Sequence, residues 1–281
     1  MTSIAVFGPS KVAVVTGAAL GIGRAICERF AQTGMSVVMA DLPGSDLEAA
    51  VKTVVALSPG GRDAIMDVPT DVADQQQIEN LRDRATAKFG NVHILVNNAA
   101  TRAGRGHQAA VDEWRRAMDV NLFGPVLGVR AFLPTMLASR QRCIIVNVGS
   151  KQGITNPPGH PIYNMTKAAL KTYTETLEHE LRSNPENQGD ACVTAHLLVP
   201  GWTTTGKQEH RAGAWLPEQV VDTMIAGILK RDFYIICPDG EVSPDMDRKR
   251  FLWAASDITE NRPPLSRWHP EYAQRAKAAC D

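Results

Sequence analysis

Short apolar runs recur along the chain, separated by longer segments in which apolar residues return every three or four positions. Several of the runs are apolar throughout, which is typical of parallel strands covered on both faces. Six have the length of a strand: VAVVT (12–16), SVVMAD (36–41), ILVNNA (94–99), CIIVNV (143–148), VTAHLLV (193–199) and FYIIC (233–237). Segments with the helical period include 22–33, 78–89, 114–137 and 163–181.

The alternation of strand and helix predicts an α/β fold with a doubly wound parallel sheet joined by right-handed crossovers. No internal repeat is visible, and no Pro-rich or Gly/Ser-rich linker occurs before about residue 240. One domain up to that point is therefore the simpler prediction. The segment that follows has a loop-like start, a middle that could hold a short helix and a Pro-rich centre.

Composition narrows the class of partner. The 281 residues include 30 acidic and 30 basic side chains, so the formal charge is zero and no basic excess favours nucleic acid or anionic lipid. The five cysteines are scattered, with no CxxC pair, which suits a reducing compartment and gives no metal site. No apolar run approaches the roughly 18 to 20 residues of a membrane span. We therefore expect a cytoplasmic protein without nucleic-acid, membrane or metal partners.

A glycine-rich loop follows the first strand. The stretch TGAALGIG places Gly17, Gly21 and Gly23 around Leu20 and Ile22, just before a helical segment. Such glycines allow a sharp turn and bring backbone N–H groups against a pyrophosphate, which also meets the positive end of the next helix. The stretch predicts dinucleotide binding.

Asp41 ends the second strand, about 20 residues beyond this loop. A carboxylate there can accept hydrogen bonds from the adenosine ribose, although a loop aspartate can also cap a turn. It would repel a 2′-phosphate, and the loop residues 18–20 include no basic side chain. These features favour NAD over NADP.

Further motifs match one family in their order along the chain. They are TGAALGIG (16–23), the pair at 71–72, NNAA (97–100), DVNLFG with its asparagine at 121, VNVGS (146–150), YNMTK (163–167) and PGWTTT (200–205). Over about residues 10–205 the chain resembles single-domain short-chain dehydrogenases/reductases. The resemblance implies a Rossmann fold, here a catalytic domain over 1–240, and a C-terminal extension over 241–281 that packs on the domain or on a neighbouring subunit.

The resemblance also implies a catalytic tetrad of Asn121, Ser150, Tyr163 and Lys167. Ser150 stands thirteen residues before Tyr163, the spacing of the family. Transfer of a hydride from an alcohol requires a proton to leave the substrate oxygen, and Tyr163 can accept it. Lys167 lies one helical turn further along, where its charge can stabilise a phenolate.

Ser150 can donate a hydrogen bond to the substrate oxygen, although a serine at the end of a strand can also satisfy a backbone group. By resemblance Asn121 holds a water that links Lys167 to solvent.

Further cofactor contacts follow only from the resemblance. Asp71 and Val72 are expected at the adenine, Asn98 at the adenosine ribose, and Lys167, beside Tyr163, at the nicotinamide ribose. The nicotinamide side is expected to be bordered by Pro200, Gly201, Thr203 and Thr205. Three departures from the family pattern are Ala100 for a glycine, Gly149 for a serine, and a C-terminus without the common glycine-rich ending.

Substrate contacts are expected from the loops 101–108, 151–161 and 202–215, which follow strands. His160, Trp202 and Trp215 are candidates for an aromatic pocket, although a tryptophan there is as often packing as recognition. Arg102, Arg105 and His107 could recognise an anion, but an exposed charged loop is the favoured interpretation.

The helical segment from 119 to 137 is apolar around most of its circumference. By resemblance, this helix and the helix that carries Tyr163 form a subunit interface, so a homodimer or homotetramer is expected.

The sequence thus predicts an NAD-dependent oxidoreductase that interconverts a secondary alcohol and a ketone or aldehyde. The alternatives are an NADP-linked carbonyl reductase, a sugar-nucleotide epimerase or dehydratase, and a protein that senses dinucleotide without catalysis.

Overall fold

The computed structural model describes residues 6–102, 104–189, 192–206, 208–240 and 242–280. Ala103 and Lys207, in two of the predicted substrate loops, and Glu241, in the predicted extension, lie outside the described residues. In the described part of the chain, seven parallel strands form one sheet in the order β3-β2-β1-β4-β5-β6-β7. The strands are β1 Val12–Thr16, β2 Ser36–Asp41, β3 Ile65–Pro69, β4 Ile94–Asn97, β5 Cys143–Val148, β6 Val193–Val199 and β7 Tyr234–Ile236.

Helices connect the strands on both sides of this sheet. They are α1 Gly21–Gln32, α2 Ser45–Leu57, α3 Gly61–Ala64, α4 Gln75–Phe89, α5 Val111–Met118, α6 Gly124–Ala138, α7 Gln152–Thr155, α8 Pro161–Ser183, α9 Pro217–Lys230, α10 Pro244–Thr259 and α11 Ala273–Cys280. A π-helical turn, Asp119–Phe123, joins α5 to α6, and a 3₁₀ turn, Ser266–Trp268, precedes α11. The predicted doubly wound parallel sheet is confirmed.

Two buried apolar clusters cover the faces of the sheet and explain its continuously apolar strands. Alternate residues of β1 enter opposite clusters, Val15 on one face and Val14 on the other. Phe30 of α1 belongs to the first cluster, and Phe132 of α6 belongs to the second. Because both faces are covered by helices, a strand needs no polar side.

The strand β3 did not appear among the apolar runs. It lies at the edge of the sheet and pairs only with β2 in the described structure. Asp67 is half-buried and Pro69 is exposed, as an edge strand with one free side permits. Because an edge strand can contain polar residues and proline, β3 lacks the continuous apolar run by which the other strands were predicted.

One continuous helical stretch among the described residues, Val111–Ala138, is long and apolar enough to cross a membrane by length and composition. Its most apolar window has a mean hydropathy of 1.4, and half of that window is buried inside the domain. Core helices of soluble proteins pass the same test. The sequence predicts a single helix over 114–137. In the structure, the π-helical turn Asp119–Phe123 interrupts this segment between α5 and α6.

The C-terminal segment folds back on itself along α10. Ser243 caps α10 by accepting a hydrogen bond from the Met246 N–H at 3.2 Å. After the helix, Ser266 accepts a hydrogen bond from the indole N–H of Trp253 at 2.8 Å, and Arg262 lies 4.1 Å from the centroid of that indole. α10 also packs against α7 of the sheet domain. The domain boundary at 240 stays a prediction.

Candidate active site

A cavity of about 510 Å³ opens at the carboxyl ends of the strands. Residues predicted to bind the cofactor line it, together with three members of the predicted tetrad. These lining residues are Gly17, Leu20, Gly21, Ile22, Asp41, Asp71, Val72, Asn98, Ser150, Tyr163, Lys167, Pro200, Gly201, Thr203 and Thr205. Two predicted site residues from these groups, Gly23 and Asn121, are not among the lining residues.

The glycine loop is too tight for side chains at two positions. Gly17 has a φ of +66°, and a Cβ there would lie 2.8 Å from the Ala99 Cα. A Cβ on Gly23 would lie 2.1 Å from the Gly17 carbonyl oxygen. The bare backbone leads directly into the first turn of α1, which carries no acidic residue. This cradle fits the pyrophosphate of a dinucleotide, because its N–H groups and the helix dipole both favour an anion.

The two asparagines of the NNAA stretch have different structural roles. Asn98 lines the cavity, and its amide donates to the carbonyl oxygens of Thr16 and Gly17, both at 3.0 Å. Asn97 points into the core, where its amide donates to Asn147 Oδ1 at 2.8 Å. Asn98 therefore supports the glycine loop, and its predicted contact with ribose stays a prediction.

Asp41 lines the predicted adenosine end of the cavity and is already held by the backbone. Its Oδ2 accepts the Ala19 N–H at 2.8 Å, and its Oδ1 accepts the Leu42 N–H at 2.7 Å. Each carboxylate oxygen has a further lone pair to offer a ribose hydroxyl. The second carboxylate of the cavity, Asp71, accepts from the Arg116 guanidinium with both oxygens, at 3.1 and 3.0 Å.

Tyr163 and Lys167 lie one turn apart on α8, with the ammonium nitrogen 5.7 Å from the ring centroid. The Lys167 side chain is buried and donates to the Val148 carbonyl oxygen at 2.7 Å. Burial lowers the pKa of Lys167, Tyr163 raises it again, and the charge of Arg102 lowers it. The site thus holds a lysine whose charge is unusually weakly solvated beside the predicted acid/base.

Ser150 follows β5 and faces the same cavity. Its Oγ accepts the Gln152 N–H at 3.2 Å, which leaves the hydroxyl hydrogen available for a substrate oxygen. α7, which begins at Gln152, packs against α8. A Cβ on Gly153 would lie 2.6 Å from the Lys167 carbonyl carbon, so glycine is what allows this close approach.

Asn121 lies in the π-helical turn and has no exposed surface. Its Oδ1 accepts the Thr101 N–H at 2.7 Å, and its amide donates to the Thr101 carbonyl at 2.9 Å and to Thr166 Oγ1 at 3.0 Å. Both amide hydrogens are thus engaged, and the side chain clamps the loop after β4. π-helical turns are frequent at functional sites. The water expected at Asn121 stays a prediction.

Arg102 is exposed, as the favoured interpretation of its loop expected, and it also lines the cavity. Its guanidinium carbon lies 5.0 Å from the centroid of the Tyr163 ring. The residue directly precedes Ala103 in a loop that sequence alone described best as exposed and charged. The available signal was its position a few residues after the end of a strand, where loops border the crevice.

An ion-pair cluster lies beside Ser150 and joins the C-terminal segment to the site. Lys151 Nζ lies 2.6 Å from Asp247 of α10 and 3.5 Å from Asp239, and the three side chains are at most 13 % exposed. Asp239 also accepts the Trp202 N–H at 2.6 Å. A Cβ on Gly201 would lie 1.9 Å from Asp239 Oδ2, which explains the glycine after Pro200.

The three predicted substrate residues do not line the cavity. The Trp202 side chain is exposed, and its carbonyl accepts the Trp215 N–H at 2.8 Å. Trp215 packs against the apolar cluster on one face of the sheet. His160 precedes α8, where its carbonyl accepts the Asn164 N–H at 3.0 Å. Their contact with substrate stays a prediction.

Comparison with known proteins shows the family to which this chain belongs. Residues 11–213 match the family model described as short chain dehydrogenase. The chain belongs to the short-chain dehydrogenase family. It is an oxidoreductase of that family, with the Rossmann-type fold of its structural relatives.

Relatives of known sequence include an uncharacterised oxidoreductase of Thermotoga maritima, 32% identical over 203 residues, which are 72% of this chain and 75% of the relative. Glucose 1-dehydrogenase 2 of Bacillus subtilis is 31% identical over 197 residues, 69% of this chain and 72% of that protein.

Two solved structures bear on the cofactor. A short-chain dehydrogenase/reductase from Burkholderia phymatum in complex with NAD has a TM-score of 0.81 and 32% identity, with 93% of this chain and 98% of that chain covered. A metagenomic short-chain oxidoreductase in complex with NADP has a TM-score of 0.65 and 28% identity, covering 80% and 92%. A nicotinamide dinucleotide is thus the cofactor type of the family.

Proposed function

We propose that this short-chain dehydrogenase interconverts a secondary alcohol and a ketone or aldehyde, with NAD as the hydride acceptor. The observation that carries the proposal is the position of Ser150, Tyr163 and Lys167 on the same cavity as the glycine cradle. An acid/base and a hydrogen-bond donor for a substrate oxygen are what oxidation of a carbinol requires.

In the proposed reaction, the Ser150 hydroxyl donates a hydrogen bond to the substrate oxygen and Tyr163 takes the proton from it. Bound NAD⁺ supplies the hydride acceptor for the carbinol carbon. Lys167 holds its positive charge beside the Tyr163 ring, where it stabilises the phenolate. Asn121 acts through the loop that it clamps, since its side chain lies behind the cavity wall.

A panel of secondary alcohols and ketones, followed by NADH absorbance, tests this function. We expect wild-type turnover that disappears in Tyr163→Phe. Turnover of the same substrate by both proteins would contradict the role of Tyr163. Tight NADH binding without turnover of any panel member would instead favour a dinucleotide-sensing protein.

The preference for NAD over NADP rests on Asp41. Its carboxylate lies at the proposed adenosine end, and Arg116, a basic side chain of the cavity wall, is engaged by Asp71. A 2′-phosphate would therefore meet a negative group without a free cation. The NADP-bound relative makes the opposite preference a real alternative.

Asp41→Asn tests the preference, with Glu48→Gln on the exposed face of α2 as its control. Affinities for NADH and NADPH are measured by fluorescence titration. We expect the wild-type preference for NADH to shrink in Asp41→Asn and to persist in Glu48→Gln. Tighter binding of NADPH by the wild type would contradict the proposal.

We further propose a homodimer or homotetramer in the cytoplasm. Phe123 of the π-helical turn and Met165 of α8 are exposed apolar side chains, which an interface between subunits would cover. All five cysteines are free thiols, which suits the cytoplasm. Light scattering of wild type and Phe123→Arg tests the assembly. An unchanged mass would remove Phe123 from the interface, and a monomeric wild type would contradict the oligomer.

A further inference from the structure

Among the described residues, two cations that line the active-site cavity have no carboxylate partner, Arg102 and Lys167. Three basic side chains line this cavity: Arg102, Arg116 and Lys167. Arg116 is paired with Asp71, and Lys167 donates to a backbone carbonyl. Within the described residues, Arg102 forms no ion pair, and its recorded contact is with the face of the Tyr163 ring.

The carboxylates of the cavity cannot supply the missing partner. Both acidic lining residues, Asp41 and Asp71, lie at the adenosine end. Asp41 accepts backbone N–H groups with both oxygens, and Asp71 accepts from Arg116. The substrate end therefore carries two positive charges, those of Arg102 and Lys167, in a space lined by no acidic side chain.

The backbone directly before Arg102 is held by buried structure, whereas the Arg102 side chain itself is exposed. Asn121, which is fully buried, holds both the N–H and the carbonyl of Thr101, the preceding residue. This clamp fixes the backbone from which the Arg102 side chain extends over Tyr163. The guanidinium is close enough to the Tyr163 ring to meet the same small molecule that the phenol oxygen would contact.

We propose that Arg102 binds the carboxylate of the substrate, so that the enzyme acts on a short hydroxy acid or the corresponding oxo acid. This inference rests on the proposed alcohol oxidation at Tyr163. Guanidinium binds a carboxylate through two parallel hydrogen bonds, which would orient the carbinol carbon as well as hold the substrate. A substrate anion would also neutralise the excess positive charge at this end.

The reaction balances without a further reactant. In the direction of oxidation, the carbinol C–H bond breaks and its electron pair leaves with the hydride to NAD⁺. The O–H proton passes to Tyr163 and the C=O bond of the oxo acid forms. The carboxylate is unchanged throughout and remains bound to Arg102.

Equilibrium binding tests the inference without requiring turnover. Butyrate and butyramide, which share a shape and differ in charge, are titrated into the NAD-loaded Tyr163→Phe protein by calorimetry. The same titrations are made with Arg102→Gln added, and with Arg105→Gln as the control from the same loop, because Arg105 is exposed like Arg102 but does not line the cavity.

We expect butyrate to bind about ten- to a hundredfold more tightly than butyramide, the range expected for a charged hydrogen-bonded pair. Arg102→Gln should abolish this difference, and Arg105→Gln should preserve it. Equal binding of the two ligands to the starting protein, or a difference that survives in Arg102→Gln, would overturn the inference.

Kinetics separate this inference from the proposed function. Wild type is assayed with 3-hydroxybutyrate, its ethyl ester and 2-butanol. Faster Tyr163-dependent oxidation of the free acid, with a KM that rises at least tenfold in Arg102→Gln, supports the inference. Tyr163-dependent turnover that prefers the ester or 2-butanol contradicts the inference and leaves the proposed function intact. A lack of Tyr163-dependent turnover contradicts the proposed function, whereas the titrations still decide whether Arg102 holds a carboxylate.

Discussion

The two ends of the active-site cavity are built in different ways. At the predicted adenosine end, the glycine loop and Asp41 come from β1, β2 and the turns that directly follow them, and Asp41 accepts the backbone N–H groups of Ala19 and Leu42. Behind Ser150 at the predicted substrate end, and outside the cavity lining, Lys151, Asp239 and Asp247 approach from three separate segments and meet through side chains. A cavity can thus combine one end specified by local geometry with another that depends on long-range packing.

The largest expected difference between the two ends is in catalysis, because the proton acceptor Tyr163 belongs to the substrate end. We expect Tyr163→Phe to reduce kcat by at least about 10²- to 10⁴-fold, because the acid/base is lost. The Kd for NADH, measured by fluorescence, should change little. Tyr173→Phe, on the same helix, is the matched control and should keep its activity. A large loss of NADH affinity in Tyr163→Phe would show that the two ends are not separable.

At the adenosine end, a single added methyl group should weaken the binding of NADH. In Gly23→Ala, the new Cβ would meet the Gly17 carbonyl oxygen at 2.1 Å, so the loop must move. Overpacking of this kind costs about 1–3 kcal/mol, which corresponds to a roughly ten- to hundredfold weaker affinity for NADH. Arg24→Ala, the next residue on α1, should bind normally. Unchanged NADH affinity in Gly23→Ala would contradict the tight-loop interpretation.

Removing a long-range contact behind the substrate end should lower kcat/KM for the substrate without changing the affinity for NADH. Asp247→Asn removes the 2.6 Å ion pair between Lys151 and α10. We expect a loss of several-fold in kcat/KM for the substrate, with unchanged NADH affinity, since Lys151 follows Ser150 directly. Asp245→Asn, on the exposed side of α10, should have no effect.

Stability should fall in Asp247→Asn. Burial raises the pKa of Asp247, although the contact with Lys151 lowers it, so desolvation offsets part of the attraction in the ion pair. The substitution leaves the mostly buried Lys151 side chain with Asp239, at 3.5 Å, as its remaining carboxylate, so the free energy of unfolding should fall by up to about 3 kcal/mol, less than for a buried charge left with no partner. A larger loss of stability together with lower NADH affinity would mean that α10 supports the whole domain and not one end of the cavity.

The smallest expected effect concerns the stability of the apoprotein. Burial lowers the pKa of Lys167, so the folded state binds its proton less tightly than the unfolded state does. The charged lysine therefore destabilises the fold below its folded pKa, and the penalty disappears as the pH rises above the unfolded value of about 10.4. Lys167→Met should lack activity and NADH binding yet be more stable at neutral pH, with a Tm higher by about 2–4 °C per kcal/mol gained.

Urea unfolding of wild type and Lys167→Met at pH 7 and 9.5 measures this difference, which should shrink at the higher pH. Lys171→Met, one turn further along α8, is the control because Lys171 pairs with Glu175 near solvent. A Lys167→Met protein that is less stable than wild type at pH 7 would show that the hydrogen bond to Val148 outweighs desolvation.

The sequence predicted much of the fold because buried parallel strands and amphipathic helices leave periodic apolar patterns. It did not show β3, whose edge position admits Asp67 and Pro69, or the π-helical turn within the long helix after β4. The predicted cofactor and tetrad residues come together, with Asn121 behind the wall. Their roles in binding and catalysis stay predictions.

The substrate end followed the sequence less closely. Arg102 is exposed, as expected, and also lines the cavity, whereas the candidates His160, Trp202 and Trp215 do not line it. Side chains in loops are placed by contacts that are distant along the chain, such as the clamp of Asn121 on Thr101. The sequence around a loop residue therefore does not show which distant residues will contact it.

The sequence by itself determined the glycine loop, the carboxylate at the end of β2 and the Tyr–Lys pair one helical turn apart, because each depends on residues that are near neighbours in the chain. The tertiary structure alone decided that Arg102 faces Tyr163 and that Lys151, Asp239 and Asp247 meet beside Ser150. Those contacts form because the parallel sheet brings separate loops to one edge, and the distances between these loops are set only in the folded chain.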